Sequence, residues 1–192
     1  MKRFDHRSKD KFCKDIKFST SIETFLFKEF AKDCRKKGIP IKNIRDNGAD
    51  NSGEFVESGT FGADYKIDLK YLGKVLTDHP IEVKFVPTFG KLTLKLADVR
   101  AYIREKASIL FFFTSEKVDL KKPKHYDAEK HIQKIKENLH LLRWGIMFHD
   151  DVVRFYEKNK GGFKNIPYMG NKLGIVLDQG DFHKWFVPNK FE

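Results

Sequence analysis

Apolar residues recur at helical spacing in segment 19–39 of the chain. The repeating positions are Ile22, Phe25, Leu26, Phe30, Ala31 and Cys34. Residues three or four apart share one face of a helix, and Gly38 is a typical helix stop. We therefore predict an amphipathic helix here, with one face buried against the rest of the fold.

Two runs of alternating polarity follow between Ala63 and Val86. The polar side of the first run is Asp64, Lys66 and Asp68, and its apolar side is Tyr65, Ile67 and Leu69. In the second run, Glu82 and Lys84 alternate with Ile81, Val83 and Phe85. Successive side chains of a strand point to opposite faces, so each run predicts a strand with one face in the core. Gly73 and Lys74 supply a turn between the runs, which predicts a β-hairpin.

The period becomes helical again after the hairpin. Apolar residues fall at i, i+4, i+7 and i+11, at Leu92, Leu96, Val99 and Ile103, which predicts a helix packed on the hairpin. The run SILFFFT at 108–114 has the length and continuous hydrophobicity of a strand buried on both faces. The order helix, strand, strand, helix, strand predicts an α/β fold whose central mixed β-sheet is flanked by helices.

Weaker patterns follow in the last third of the chain. Residues 128–142 predict an amphipathic helix, and 146–148 and 174–178 predict short strands. Asp150 and Asp151 suit the N-terminus of a helix, and Asp181 suits the cap of a short closing helix that carries Trp185. We predict one domain over 1–192, with a core at about 20–114 and a C-terminal elaboration at about 115–192.

Composition limits the class of protein. The 192 residues are 40% hydrophobic and include 19 phenylalanines, which is enough for a sizeable core. No apolar run approaches the roughly 18 residues of a spanning helix, and the first residues lack the apolar core of a signal peptide, so a soluble, cytoplasmic protein is predicted. Cys13 and Cys34 are too few and too far apart for a zinc knuckle or a disulfide framework.

The formal net charge of +11 favours a polyanionic partner such as nucleic acid, although a solvated lysine surface is the alternative. The predicted second helix carries cations on faces other than its apolar stripe, and a lysine-rich loop spans 115–126. The candidate nucleic-acid-binding residues are Lys95, Arg100, Arg104, Lys121, Lys122 and Lys124.

The hairpin carries the candidate chemistry, because it places Asp68, Glu82 and Lys84 on adjacent strands. Carboxylate oxygens are the ligands that Mg²⁺ prefers, and a coordinated water can become the attacking hydroxide in phosphodiester cleavage. Lysine can orient or help deprotonate that water and neutralise charge that develops on the phosphate. The alternative is that Glu82 and Lys84 form an ordinary surface ion pair.

An acid followed two residues later by lysine occurs five times, starting at Asp15, Asp64, Asp68, Glu82 and Asp119. Glu82 is distinguished by its setting. It lies in a predicted core strand that begins at Pro80 and is followed by a predicted helix and by a second buried strand.

The segments IDLKYLG and HPIEVKF resemble the PD-(D/E)xK nuclease superfamily, which includes restriction endonucleases and Holliday-junction resolvases. The resemblance covers roughly residues 20–114 and implies a restriction endonuclease-like core, with a central mixed β-sheet flanked by helices. It implies that Asp68, or alternatively Asp64, is the first acid, and that Glu82 and Lys84 form the E-x-K motif. The proline that normally precedes the first acid is absent, since Ile67 and Ala63 precede the two candidates.

The superfamily often adds a glutamate from its first helix, and the resemblance implies Glu29, which lies along the apolar stripe. The alternative for Glu29 is a solvated residue paired with Lys32 or Lys28. Glu23 stands three residues after Thr20, which predicts a capping box at the start of the helix.

These features predict a Mg²⁺-dependent DNA endonuclease, with Mn²⁺ as a possible substitute. Its ligands would be Asp68 and Glu82 with Glu29 or Asp64, and Lys84 would lie at the attacking water. A restriction-type enzyme on duplex DNA is the first expectation, and a Holliday-junction resolvase or another structure-selective nuclease is the alternative. Either commonly acts as a homodimer. A basic nucleic-acid-binding module without catalysis is the alternative from a different class.

Overall fold

The computed structural model describes residues 9–47, 62–87, 91–114, 118, 120 and 127–192. Within these ranges the helices are α1 Lys9–Lys36, α2 Leu96–Arg104, α3 Ala128–Glu137, α4 His149–Asn159 and α5 Gln179–Phe182. The strands are β1 Ile41–Asp46, β2 Tyr65–Tyr71, β3 Lys74–Val86, β4 Lys91–Lys95, β5 Ser108–Thr114, β6 Leu142–Met147, β7 Lys164–Ile166, β8 Lys172–Asp178 and β9 Asn189–Lys190.

The main sheet has six strands in the order β1-β2-β3-β5-β6-β9. Strand β3 runs parallel to β5, and all the other neighbours in this sheet are antiparallel, so the sheet is mixed. A parallel pair needs a crossover connection, and helix α2 lies on that connection. A smaller antiparallel sheet has the order β4-β8-β7. The predicted α/β class with a mixed, helix-flanked sheet is confirmed.

Strand β5 is buried along its whole length, as predicted. On one face, Leu110 and Phe112 pack in the core that α1 covers. On the other face, Ile109 and Phe111 pack in a second core, which includes residues of α2, α4 and the smaller sheet. Strand β3, which is paired with β5, is therefore held in the middle of the sheet.

Helix α1 begins at Lys9, ten residues before the predicted start. Thr20 and Glu23 consequently lie in the helix interior, and the predicted capping box is wrong. The helix ends as expected beside Gly38, which has a φ of +66°, and the amide of Ile39 donates to the carbonyl of Cys34 at 2.8 Å.

A buried carboxylate ties α1 to the far end of the chain. Asp33 is 2% exposed and accepts hydrogen bonds from the indole Nε1 of Trp144 at 2.6 Å and from the amide of Glu192 at 2.8 Å. Lys37 Nζ lies 2.7 Å from the same carboxylate. These donors compensate the cost of burying its charge.

The predicted hairpin is present, with its turn one residue earlier than expected. Leu72 and Gly73 both have positive φ, +48° and +75°, which is the two-residue turn that suits the twist of a hairpin. Lys74 is already the first residue of β3 and pairs with Tyr71.

Two other predictions need correction. Leu92 belongs to strand β4 and not to a helix, because Leu92 and Leu94 alternate into the core and pair with β8. Helix α2 starts at Leu96. The predicted helix over 128–142 ends at Glu137, and Leu142 opens β6. Strand β1 was not predicted.

The remaining C-terminal predictions have mixed outcomes. Asp150 and Asp151 lie in the first turn of α4, as expected. Asp181 lies inside the short α5 and does not cap it, and Trp185 follows that helix in a 3₁₀ turn. None of the described helices is long and apolar enough to cross a membrane.

Replacing Gly145 in β6 by alanine should destabilise the fold, because a Cβ at this position would overlap the ring of Phe186. Overpacking of this kind costs about 1–3 kcal/mol in the free energy of unfolding, measurable by urea denaturation. Gly161→Ala is the matched control, since nothing lies within 4 Å of its added Cβ. Equal stability of the two variants would contradict this packing of Phe186.

Candidate functional site

The candidate site lies where β2 and β3 separate. At this end of their ladder of paired residues, Tyr65 lies opposite Ile81. Asp64 directly precedes Tyr65, and Glu82 directly follows Ile81. The amide of Val83 donates to Asp64 Oδ2 at 2.7 Å. The carboxylate of Asp64 is therefore fixed beside the strand that carries Glu82 and Lys84.

Glu82 and Lys84 share one face of β3, as the alternation predicted. Lys84 Nζ lies 2.5 Å from Glu82 Oε1, and the hydroxyl of Tyr102 in α2 donates to the same oxygen at 3.1 Å. Lys84 Nζ also lies 5.9 Å from the centroid of the Tyr102 ring, within reach of a cation–π interaction. Helix α2 thus supplies a side chain that fixes the E-x-K pair.

A further acid, Glu23, lies on α1. Burial raises the pKa of Glu23 to about 8; the charge of Lys84 opposes this shift, and the charges of Asp64 and Glu82 add to it. Glu23 thus lies within electrostatic range of the two other acids and of Lys84. We call Glu23, Asp64, Glu82 and Lys84, with Tyr102, the carboxylate–lysine cluster.

Asp64 is perturbed in the same direction. Burial raises its pKa to about 7, and the negative charge of Glu82 contributes further, against the opposing effects of Lys84 and the Val83 amide. At neutral pH Glu23 therefore favours its protonated form, and Asp64 is close to half protonated. If all three acids were ionised, the cluster would carry more negative charge than Lys84 alone can neutralise.

Lys84 and Tyr102 of the cluster keep their protons at neutral pH. Burial alone would lower the pKa of Lys84, but the charge of Glu82, with contributions from Tyr102 and the other two acids, raises it well above its usual value. Burial also raises the pKa of Tyr102 well above 10, although the charge of Lys84 opposes this. At neutral pH the cluster thus contains an ammonium group and a neutral phenol.

Asp68 lies outside the cluster. Its carboxylate accepts hydrogen bonds from Asn43 Nδ2 at 2.5 Å and from the amide of Asp78 at 2.7 Å, and these two bonds lower its pKa. Asn43 and Asp78 have φ values of +48° and +45° and lie at irregularities in β1 and β3. Asp68 is therefore placed to stabilise two bulges that flank β2.

Glu29 also lies outside the cluster. Its carboxylate is 2.6 Å from Lys32 Nζ, which is the pairing kept as the alternative. Glu29 is six residues after Glu23, or ~9 Å further along the helix axis. Of the acids implied by the resemblance, the structure brings together Asp64 and Glu82, and it adds Glu23.

The predicted nucleic-acid contacts at the end of β4 and in α2 have partners within the protein. Lys95 lies 3.6 Å from Asp98, and Arg104 lies 3.2 Å from Glu105. The guanidinium of Arg100 lies over the ring of Tyr156, with 6.0 Å from its carbon to the ring centroid. The loop lysines Lys121, Lys122 and Lys124 lie outside the described residues.

Sequence reasoning missed two members of the cluster. Glu23 was assigned to a cap because the helix start was placed too late, yet its position next to Ile22 in the apolar stripe was a usable signal. Tyr102 lies three residues after Val99 in α2, on the buried side of that helix. A polar hydroxyl on the apolar face of the helix after an E-x-K strand is the signal that would have identified it.

Within the described part of the chain, no three His, Cys, Asp or Glu side chains are placed closely enough to form a ready metal-binding group. The composition of the cluster nevertheless fits a hard divalent cation. Its donors are all carboxylates, and the raised pKa values of Glu23 and Asp64 reflect buried negative charge that a cation would relieve. Glu23, Asp64 and Glu82 are the carboxylates of the cluster, and they would have to move closer together to share one cation.

Comparison of the sequence with protein-family models, with curated proteins and with solved structures finds no match. No family is assigned to the chain on this basis.

Proposed function

We propose that this protein is a metal-dependent deoxyribonuclease that hydrolyses phosphodiester bonds at the carboxylate–lysine cluster. The observation that carries the proposal is the arrangement of Asp64, Glu82 and Lys84 where β2 and β3 separate, with Glu23 of α1 close enough to interact with them electrostatically. A phosphodiester is an anion, and its cleavage concentrates negative charge on the phosphoryl oxygens. Phosphodiester hydrolysis therefore requires stabilisation of this negative charge and activation of a water molecule. The cluster is suited to both.

The order of elements supports a restriction endonuclease-like fold as part of the proposal. In the PD-(D/E)xK superfamily the first acid lies on one strand, the E-x-K motif on the next, and a further glutamate often comes from the first helix. Asp64 on entry to β2, Glu82 and Lys84 on β3, and Glu23 on α1 are arranged similarly. Asp64 therefore replaces Asp68, and Glu23 replaces Glu29, in the proposed set of ligands.

Mg²⁺, with Mn²⁺ as a substitute, is the proposed cofactor, held by Glu23, Asp64 and Glu82. When bound, a divalent cation lowers the pKa of a coordinated water and neutralises charge on the phosphate. The chain's own residues supply the carboxylates, and the side chains of Lys84 and Glu82 are 32% and 13% exposed, so the half-buried cluster is open to solvent. Because Glu23 and Asp64 hold protons near neutral pH, cation binding has to displace those protons.

Lys84 acts in this proposal as a permanent cation. Its raised pKa keeps the ammonium group charged, so it donates hydrogen bonds to a water or to a phosphoryl oxygen and does not serve as a base. Tyr102 is a positioning residue, since its hydroxyl holds the Glu82 oxygen that also pairs with Lys84. The two groups together set the orientation of Glu82.

DNA is the proposed substrate because the net charge of +11 favours a polyanion. A restriction-type endonuclease acting as a homodimer and a Holliday-junction resolvase share this chemistry. Supercoiled plasmid and a synthetic four-way junction separate them, because discrete plasmid fragments indicate sequence-specific cleavage and cutting of the junction alone indicates a resolvase.

Cleavage of these substrates in Mg²⁺ should be lost in EDTA and reduced by about 10²–10³-fold in Lys84→Ala, which removes the charge next to Glu82. Asp64→Asn should lose activity similarly, whereas Asp68→Asn should cleave like the wild type. Initial rates on labelled DNA measure this contrast.

The Asp64 and Asp68 variants form a matched pair, since each removes one carboxylate from the same strand region. Equal loss in both would contradict the assignment of Asp64. Binding of both DNA substrates by wild type without cleavage of either would contradict the catalytic proposal and favour a binding module.

Tyr102→Phe should retain the fold and lower the cleavage rate by about 10-fold, the effect typical of losing a group that orients a ligand. The mutant should also shift the pH dependence of cleavage, because Tyr102 contributes to the raised pKa of Lys84. Tyr156→Phe, which alters a tyrosine that contacts Arg100 outside the cluster, is the control. An unchanged rate and pH profile in Tyr102→Phe would remove Tyr102 from the site.

The metal-free protein should lose stability as the pH rises through about 7–8. Glu23 and Asp64 have folded pKa values of about 8 and 7, above their ordinary values of 4.5 and 3.8, so the stability present below pH ~4 is lost as these acids ionise in the fold. Asp64→Asn should therefore raise the midpoint of thermal unfolding at pH 8 by about 2–4 °C, or about 1 kcal/mol.

At pH 5 the same substitution should have a smaller effect on that midpoint. Added Mg²⁺ should raise the midpoint of the wild type at pH 8 and leave Asp64→Asn unchanged. A Mg²⁺ effect of equal size in both proteins would show that the cation binds elsewhere.

A further inference from the structure

A groove of about 500 Å³ runs along α1 beside the carboxylate–lysine cluster. One wall is a single face of α1, and the other is formed by residues of β1. The lining residues on which the inference depends are Lys28, Lys32, Arg35, Ile44, Asp46 and Tyr65. None of the candidate nucleic-acid-binding residues of the sequence analysis is among the described residues that line this groove.

The groove adjoins the proposed catalytic centre at one end. Thr24 follows Glu23 in α1, Tyr65 follows Asp64, and the hydroxyl of Tyr65 donates to Thr24 Oγ1 at 3.2 Å. The charge of Asp46, at the end of β1, contributes to the raised pKa of Asp64. Residues at this end of the groove are thus direct neighbours in sequence of Glu23 and Asp64 of the cluster.

The two walls differ in charge. Lys28, Lys32 and Arg35 project from α1 at i, i+4 and i+7, so they form one row, and all three are exposed. Facing them on β1 are Ile44, which is 36% exposed, and the exposed Asp46. The α1 wall attracts phosphate through these cations, of which Lys32 also pairs with Glu29 at 2.6 Å, and the other wall offers an apolar side chain and a carboxylate.

The floor between the walls is apolar. Ala31 is buried there, and the rings of Phe27 and Tyr65 stack with centroids 3.8 Å apart and planes 3° apart. This stacked pair is nearly fully buried, so it forms a rigid base for the groove. From Thr24 to Arg35 the groove follows α1 for ~16 Å.

We propose that this groove holds a single strand of DNA next to the scissile phosphate. A single strand has one row of phosphates, which matches one cationic wall, and unpaired bases that suit an apolar floor and Ile44. A duplex would bring a second phosphate row toward Asp46. The proposal rests on the proposed nuclease function and specifies its substrate as DNA with a single-stranded segment beside the cut.

The first test measures binding without cleavage. A fluorescein-labelled single-stranded oligonucleotide is titrated in EDTA with wild type, with Lys28→Gln/Lys32→Gln, and with the matched control Lys164→Gln/Lys172→Gln, whose exposed lysines lie on the smaller sheet. Loss of two phosphate contacts should weaken binding by about 25-fold at 0.1 M salt and reduce the salt slope by about 1.4. The control should bind like the wild type.

Several outcomes would overturn the groove proposal. One is equal affinity of the groove variant and the control variant for the oligonucleotide. Another is a loss of affinity in the groove variant that is equal for blunt duplex and for single strand. A third is displacement of the oligonucleotide by an acidic peptide of equal charge. Thermal unfolding of each variant checks the fold, and Arg35→Gln provides an independent single-site variant with the same expected direction.

The two proposals fail separately. Binding is measured in EDTA and does not depend on cleavage. If the groove binds single strands but the protein never cleaves DNA, only the proposed nuclease function is refuted. Plasmid cleavage unaffected by Lys28→Gln/Lys32→Gln, together with unchanged binding of single strands, would refute only the groove.

Discussion

The burial of β5 on both faces is the constraint on which the rest of the structure depends. Seven consecutive residues without solvent contact require a cover on each side of the sheet. Helix α1 covers one face, and α2, α4 and the smaller sheet cover the other. Because β3 pairs with β5 from Ile81 to Val86, these covers also fix the strand that carries Glu82 and Lys84.

The cluster forms where this well-packed sheet is interrupted. Where β2 and β3 separate, the side chain of Asp64 accepts a hydrogen bond from the amide of Val83. Glu23, on α1, interacts electrostatically with this acid. The fold therefore supplies rigid elements behind each charged group, while burial makes their mutual repulsion strong. Such a site lowers the stability of the empty protein, a cost that is common where like charges are assembled for function.

Local patterns were sufficient to predict much of the fold. Alternation identified β2, β3 and the shared face of Glu82 and Lys84, and continuous hydrophobicity identified β5. Strand β1 was missed because five of its six residues are exposed and give no alternation. Leu92 was misassigned because its spacing to Leu96 fits a helix, although its pairing with Leu177 in a distant strand determines its conformation.

The site was harder to predict because similar residues differ only in their three-dimensional setting. Asp64 and Asp68 are four residues apart and lie on the same side of an alternating run. At the irregularities in the neighbouring strands, Asp68 accepts hydrogen bonds from Asn43 and from the amide of Asp78. Where the β2–β3 ladder ends, Asp64 accepts a hydrogen bond from the amide of Val83. Neither irregularity has a sequence signal, since the positive φ values fall on asparagine and aspartate and not on glycine.

The buried carboxylate of Asp33 has a consequence for the order of folding during synthesis. Its partners Trp144 and Glu192 are 111 and 159 residues further along the chain. The first helix can form early on the ribosome, but its buried acid remains without these donors until residue 192 has emerged. Contacts of such long sequence separation slow folding, so the hydrogen bonds of this buried acid should be among the last to form.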